Sequence, residues 1–244
     1  MKKPLVVVLS MLGVVVACQS IESGDLETGA IRAVIEVHPR ADGSATDVTA
    51  SLIAGAFTFV DLDGEDRLVT HSGEVSVELQ QSELLGAVNY AGALEGIHAP
   101  GDVVTVALVR GEGKDGAPSS TVRLPEPVTL TAPAAGTSFS RETDDIVATI
   151  ESAASEDPVR LSFRGECIEE GGLDVPAGQT TVTIAKGSIA KKTSADTADA
   201  TQAPDTCTIT LTVSRRIEGT LDPAFEDGSI AAVTSSSLDL TSTP

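Results

Sequence analysis

The chain has no tryptophan, one tyrosine (Tyr90) and five phenylalanines, so aromatic side chains make up only 2% of its 244 residues. Sugar-binding modules stack pyranose rings on exposed aromatic faces, and that platform is missing here. Carbohydrate recognition is therefore disfavoured. Positive charge is equally scarce: 16 Lys and Arg stand against 36 Asp and Glu, a net charge of −20. Such a field repels phosphate backbones and anionic headgroups, which excludes nucleic acid as a partner and favours cations, basic partners or plain solubility. Histidine is limited to His38, on the polar face of a strand pattern, and His71 and His98, in turn-like sequence. None belongs to an i, i+4 metal pair and no G-x-S-x-G elbow accompanies them, so no hydrolase follows. C-x-x-C spacing is absent as well, which removes the usual zinc and dithiol patterns. Leu5 to Ala17 is an apolar-rich run, but its thirteen residues fall short of the about 20 that a spanning helix needs.

That run follows Lys2 and Lys3 and ends in Val15-Val16-Ala17-Cys18. A basic start, a short apolar core and small residues before a cut point describe an export signal. The last four residues resemble the lipobox of bacterial lipoproteins. The resemblance implies a diacylglycerol on the Cys18 thiol, removal of residues 1–17 as a signal peptide, and acylation of the new amine. Two or three acyl chains hold a protein stably where one does not, so the expected partner is a membrane, reached through the N-terminal lipid. The expected place is the bacterial cell envelope. Gln19, rather than Asp, implies by the same resemblance the outer membrane, periplasmic or surface-facing. Gln19 to Gly29 (QSIESGDLETG) is polar and aperiodic and reads as a flexible tether, giving a lipidated linker over residues 18–29. Loss of Lys2 and Lys3 with the signal takes the net charge to −22.

Downstream, apolar residues alternate with polar ones at period two, the pattern of half-buried strands. Ile31, Ala33, Ile35 and Val37 form one such face; Val48, Ala50 and Leu52 another; Phe57 and Phe59, then Val75, Val77 and Leu79, then Val104, Val106 and Leu108 follow. Gln81 to Ile97 (QSELLGAVNYAGALEGI) fits neither period and reads as one short helix or an irregular crossover. Leu124-Pro125-Glu126-Pro127 cannot donate at either proline and marks an extended junction. Beyond it come Val128 to Leu130, then Ile146, Ala148 and Ile150, then Val159, Leu161 and Phe163, then Val182 and Ile184, then Ile209, Leu211 and Val213, and last Ile230 to Leu240. The predicted fold is all-β: two antiparallel immunoglobulin-like sandwiches over residues 30–124 and 125–244, with one short helix in the first. Ala190 to Pro204 (AKKTSADTADATQAP) is small, polar and aperiodic and reads as a mobile loop, with a binding loop as the alternative.

With Cys18 acylated, Cys167 and Cys207 form an even pair in an oxidising compartment, where a bridge is the default. Cys167 ends the inward face of one strand and Cys207 begins that of another. In immunoglobulin-like order these are the third and sixth strands, which pair in one sheet and bring facing cysteines to bonding distance.

Across residues 117–244 the sequence resembles exported bacterial lipoproteins with tandem immunoglobulin-like sandwiches. The resemblance lies in Ala117-Pro118-Ser119-Ser120, in Leu124-Pro125-Glu126-Pro127 with Ala132-Pro133, in Asp205-Thr206-Cys207 and in Arg216-Ile217-Glu218-Gly219-Thr220-Leu221-Asp222-Pro223. It covers about half the chain and implies no activity. The sequence departs from antibody-type domains, carrying Phe163 where they have tryptophan and Asp205 where they have a tyrosine two residues before the later cysteine.

Asp61-Leu62-Asp63-Gly64-Glu65-Asp66 is the best candidate metal site, with Asp61, Asp63 and Asp66 as calcium ligands. An EF-hand loop needs Gly at its sixth position and Glu at its twelfth, and neither is here, so a hairpin turn is the competing reading. No other cofactor is implied. Asp144-Asp145 and Glu169-Glu170 are charge pairs too far apart in sequence to assign as an acid/base couple. The expected function is a membrane-anchored, non-enzymatic envelope lipoprotein, in a binding or accessory role toward an envelope protein. A calcium-dependent or carboxylate-using enzyme would need convergent acids in a cleft. A small-ligand-binding lipoprotein would need a groove at the Leu124 to Pro127 hinge.

Overall fold

A computed structural model describes residues 20–84, 86–152, 157–192 and 203–244. Val15 to Cys18, Leu85 and residues 193–202 of the Ala190–Pro204 segment lie outside the described residues. The chain begins with β1 (Ser20–Glu22), followed by short 3-10 turns at Ser23–Asp25 and Thr28–Ala30. Then come β2 (Ile31–Pro39), β3 (Ala45–Ala54), β4 (Thr58–Asp61), β5 (Arg67–Ser72), β6 (Val75–Glu78), β7 (Gln80–Leu84), β8 (Ala87–Glu95), β9 (Val103–Val109) and β10 (Ala117–Arg123). Past the junction lie β11 (Val128–Ala132), β12 (Ser138–Ser140), β13 (Ile146–Ser152), β14 (Val159–Gly165), β15 (Gly171–Val175), β16 (Thr181–Ile184), β17 (Cys207–Glu218) and β18 (Asp227–Thr243). Among the described residues no helix is long and apolar enough to cross a membrane.

Two sandwiches result, and the period-two faces form their interiors. Ile31, Ala33, Ile35 and Val37 of β2 are fully buried against Leu68, Val104, Val106 and Leu108 of the opposite sheet. Leu161, Ile209, Leu211 and Val213 do the same in the second sandwich, against Ile150 and Val182, while Thr208, Thr210 and Thr212 point outward on β17. β-branched threonine suits that outer face because its stiff side chain packs on a pleated surface while its hydroxyl meets water.

The long β17–β18 hairpin joins the two halves. Its strands pair antiparallel from Cys207↔Ser242 to Glu218↔Ala231. The first part of β18 also runs parallel to β2, Asp227 opposite Arg32 and Ala232 opposite Val37, whereas its last residues pair with β12. One 11-stranded sheet therefore passes through both sandwiches. Phe225, Ile230 and Ala232 are buried in the first core, so residues 219–232, counted by sequence with the second sandwich, complete the first. Gly228 makes this entry sterically possible: its φ is +133°, and a Cβ there would stand 1.8 Å from the Ala33 carbonyl oxygen.

Three expectations are corrected. Gln81 to Ile97 holds no helix but most of the β7–β8 hairpin, with Leu84 opposite Ala87 and Gly86 (φ +81°) at its turn. Every residue of β7 is exposed, so that strand lacks the inward alternation that would have revealed it. Phe57 does not share a strand face with Phe59; it sits in the β3–β4 turn. The tether reading of Gln19 to Gly29 fails from Ser20 onward, because β1 pairs parallel with β4 and both Ser23 and Thr28 are buried.

Candidate functional site

A buried polar cluster fastens the N-terminal segment to the first sandwich. Ser23 Oγ stands between two carboxylates, 2.8 Å from Asp63 Oδ1 and 2.7 Å from Asp66 Oδ2, and the Gly24 amide donates to Asp63 Oδ1 at 2.7 Å. From the β9–β10 loop, Arg110 Nε donates to Asp66 Oδ2 at 2.7 Å, and its Nη2 donates to the carbonyls of Ser23 (2.7 Å) and Leu26 (3.0 Å). The Gly111 amide completes the Asp66 carboxylate at 2.8 Å, Lys114 Nζ bonds the carbonyls of Ser23, Gly24 and Leu26, and the Thr28 hydroxyl bonds the Asp115 carbonyl. The Arg110 and Asp66 side chains are 0% and 6% exposed. Burial pushes the Asp66 carboxyl up, but the bonds from Ser23, Gly111 and Arg110 outweigh it and hold it below its ordinary value. The Ser23 hydroxyl and the Gly24 amide likewise lower Asp63.

The three aspartates expected to gather calcium are therefore put to other uses. Asp63 and Asp66 hold Ser23, while Asp61 Oδ1 accepts a bond from Gln81 at 2.8 Å. Among the described residues no group of three His, Cys, Asp or Glu side chains could hold a metal. The reading as a turn fits better: Gly64 takes φ +63° and the Asp66 amide bonds the Asp63 carbonyl. Asp144 and Asp145 receive the amides of Ser140 and Lys186, so both shape loops. His38 lies 3.4 Å from Glu36, His98 is exposed beside Gly43, and His71 lies within β5 rather than in a turn. Tyr90, the single tyrosine, donates its hydroxyl to the Val60 carbonyl at 2.9 Å and accepts from the Leu62 amide at 2.8 Å. Burial pushes its phenol up to about 12.

In the second sandwich Cys167 and Cys207 are joined, with Cα atoms 5.8 Å apart. Strand register explains the pairing, since β14 and β17 run antiparallel with Gly165 opposite Ile209, and Cys167 two residues after the one meets Cys207 two residues before the other. Arg141, unremarked in the sequence, is buried beside the bridge and donates to Ser242 Oγ at 2.7 Å and to the Asp205 carbonyl at 3.0 Å.

At the junction lies a cleft of about 660 Å³, lined by Pro39, Arg40, Pro100, Pro125, Pro127, His98, Thr129 and the hydroxyl run Thr234 to Ser237. No carboxylate lines it. Arg40 is engaged by Asp47 through two bonds, at 2.9 and 2.7 Å. The junction is built rather than loose: buried Arg215 donates to the Glu126 carbonyl at 2.9 Å, Thr234 Oγ1 reaches the same oxygen at 3.3 Å, and the Leu130 amide bonds Ser236 Oγ at 3.1 Å.

No family model matches the chain, and no curated protein matches it. Among solved structures it is similar to the fibronectin(III)-like modules of Clostridium thermocellum CbhA, at 12% identity over 87% of this chain and 90% of that one, with a TM-score of 0.26. It is also similar to the two-domain fibronectin type III segment of chicken tenascin, at 13% identity over 82% of this chain and 95% of that one, with a TM-score of 0.20. The strand pairing described above, rather than these likenesses, defines the two sandwiches.

Proposed function

We propose that the chain is a bacterial envelope lipoprotein, exported and held on the outer membrane by acyl chains on Cys18, with a non-enzymatic binding or accessory role toward an envelope protein. The observation that carries this reading is the run from Lys2 to Cys18, whose charge, length and final Val15-Val16-Ala17-Cys18 agree with a lipoprotein signal. The rival reading, a calcium-dependent or carboxylate-using enzyme, needs acids that converge in a cleft, whereas the candidate calcium ligands Asp61, Asp63 and Asp66 are bonded to Gln81, Ser23 and Arg110 and no carboxylate lines the junction cleft. In cells expressing the Cys18→Ser variant, fractionation should find the protein released from membranes or stalled with its signal attached. Unchanged membrane partitioning of that variant would remove the anchor from this account.

The junction cleft favours a second reading, in which the lipoprotein holds a small ligand between its sandwiches. Its volume falls in the range of about 300–1,000 Å³ typical of ligand pockets, and prolines beside hydroxyls offer an apolar wall with polar points of attachment. Native mass spectrometry of envelope-derived protein should show a bound species that is lost in Ser235→Phe. The absence of any adduct on the unsubstituted protein would set this reading aside.

A further inference from the structure

Phe57, in the β3–β4 turn, is 87% exposed, and Leu84, the last residue of β7, is 73% exposed. Strand register places both at one end of the molecule. Ala54 pairs with Thr58 across the β3–β4 turn, and β8 runs antiparallel to β3 with Ala50 opposite Tyr90, so the start of β8 lies toward Ala54. Leu84 pairs with Ala87 at that start. β1 runs parallel to β4 with Ser20 opposite Phe59, so Ser20 itself lies at this end. β18 begins at this end too, Asp227 opposite Arg32, and then travels into the second sandwich over about 54 Å of strand. The two most exposed large apolar side chains among the described residues thus share the pole farthest along β18 from the second sandwich.

We infer that Phe57, in the β3–β4 turn, and Leu84, at the end of β7, form a membrane-contacting pole that rests on the bilayer holding the Cys18 lipid. The inference depends on the anchoring proposed above. Cys18 is two residues from Ser20, a chain path of at most about 7 Å, so an acylated Cys18 keeps this end of the sandwich at the lipid surface. The buried Ser23–Asp66–Arg110 cluster fixes the segment that follows, leaving little freedom to swing away. Apolar side chains in such a position enter the boundary between headgroups and acyl chains, to a depth of about 5–10 Å. Glu22, Glu83 and Asp227 are exposed or at neighbouring register positions, which suits zwitterionic rather than anionic headgroups. The consequence is a fixed orientation in which the second sandwich points away from the membrane.

The absence of tryptophan makes the test direct, because one introduced indole is the only one in the chain. Full-length F57W, L84W and, in the second sandwich, V147W are purified as processed protein and placed in phosphatidylcholine vesicles whose acyl chains carry a nitroxide quencher near the headgroup boundary. Val147, 48% exposed on β13, serves as the control. The pole proposal predicts a blue-shifted emission and a loss of about half the intensity for F57W and L84W, with V147W unaffected. Mass analysis of the same samples reports the state of Cys18. Acylated protein in which F57W and L84W respond no more than V147W would overturn the pole and leave the anchor standing. Unmodified Cys18 would overturn the anchor and the pole together.

Discussion

Arg110 reaches the carboxylate of Asp66, two backbone carbonyls and, through Nη1, the Thr28 hydroxyl at 3.1 Å, so one buried side chain ties together three separate segments. A guanidinium suits the position because its planar fork supplies several fixed donors at once, which a lysine ammonium does not. Removing the Asp66 charge while keeping its shape leaves Arg110 buried without a counter-ion. Asp66→Asn should therefore cost about 3–5 kcal/mol at pH 7 in urea unfolding. The folded carboxyl titrates below its ordinary value, so its contribution is present above the unfolded value of about 4 and is lost as pH falls through the lower folded one. The gap between Asp66→Asn and the unsubstituted protein should close below about pH 4. A gap that stays constant as the pH falls well below about 4 would mean that Asp66 is not ionised in this pair. Asp222 obeys the same sign: burial raises it, but the Ser119 hydroxyl and amide and the Ala224 amide hold it low.

At the scale of elements, the β17–β18 hairpin decides how the sandwiches depend on each other. Its loop returns Phe225 and Ile230 to the first core, ties Thr220 to Thr121 through two bonds of 2.8 Å, and seats the Asp222 carboxylate on Ser119. Burial of side chains that size stabilises by about 1.5–3 kcal/mol each, a large part of the about 5–15 kcal/mol that holds a domain. Residues 20–124 expressed alone should lack a cooperative thermal transition, whereas a sharp melt would show that the first sandwich stands without the hairpin. In the second sandwich the bridge closes a 40-residue separation, and replacing both Cys167 and Cys207 with serine should cost about 4 kcal/mol by chemical denaturation. A loss under about 1 kcal/mol would assign that stability to packing around Arg141 instead.

The alternating faces of β2, β9, β14 and β17 could be read directly in the sequence because each buries one side against a core, and period two is what half-burial writes. The cysteine pair was legible for the same reason, each lying on an inward face at matching strand ends. β7 was hidden by full exposure. β18 misled because Thr234 to Ser237 crosses the junction, where the strand passes from one core to the other and its apolar alternation lapses. The Ser23–Asp66–Arg110 cluster left no local signal, since its partners are more than 40 residues apart and no spacing rule connects them. The same aspartates beside Gly64 imitated a cation loop, and only their contacts show that they serve the N-terminal segment.

For the whole molecule, the scarcity of basic and aromatic side chains and the N-terminal motif describe one object. Its net charge of −20 disfavours electrostatic attraction to anionic headgroups, so an attached lipid rather than a basic patch would have to hold it on a membrane. Its single sheet through both sandwiches carries position from the N-terminal pole to the far end without a loose hinge. Intact-mass measurement of protein extracted from native membranes tests this account most directly. The expected species begins at Cys18 and carries diacylglycerol with an amide-linked acyl chain. A chain with residues 1–17 attached and a free Cys18 thiol would contradict it.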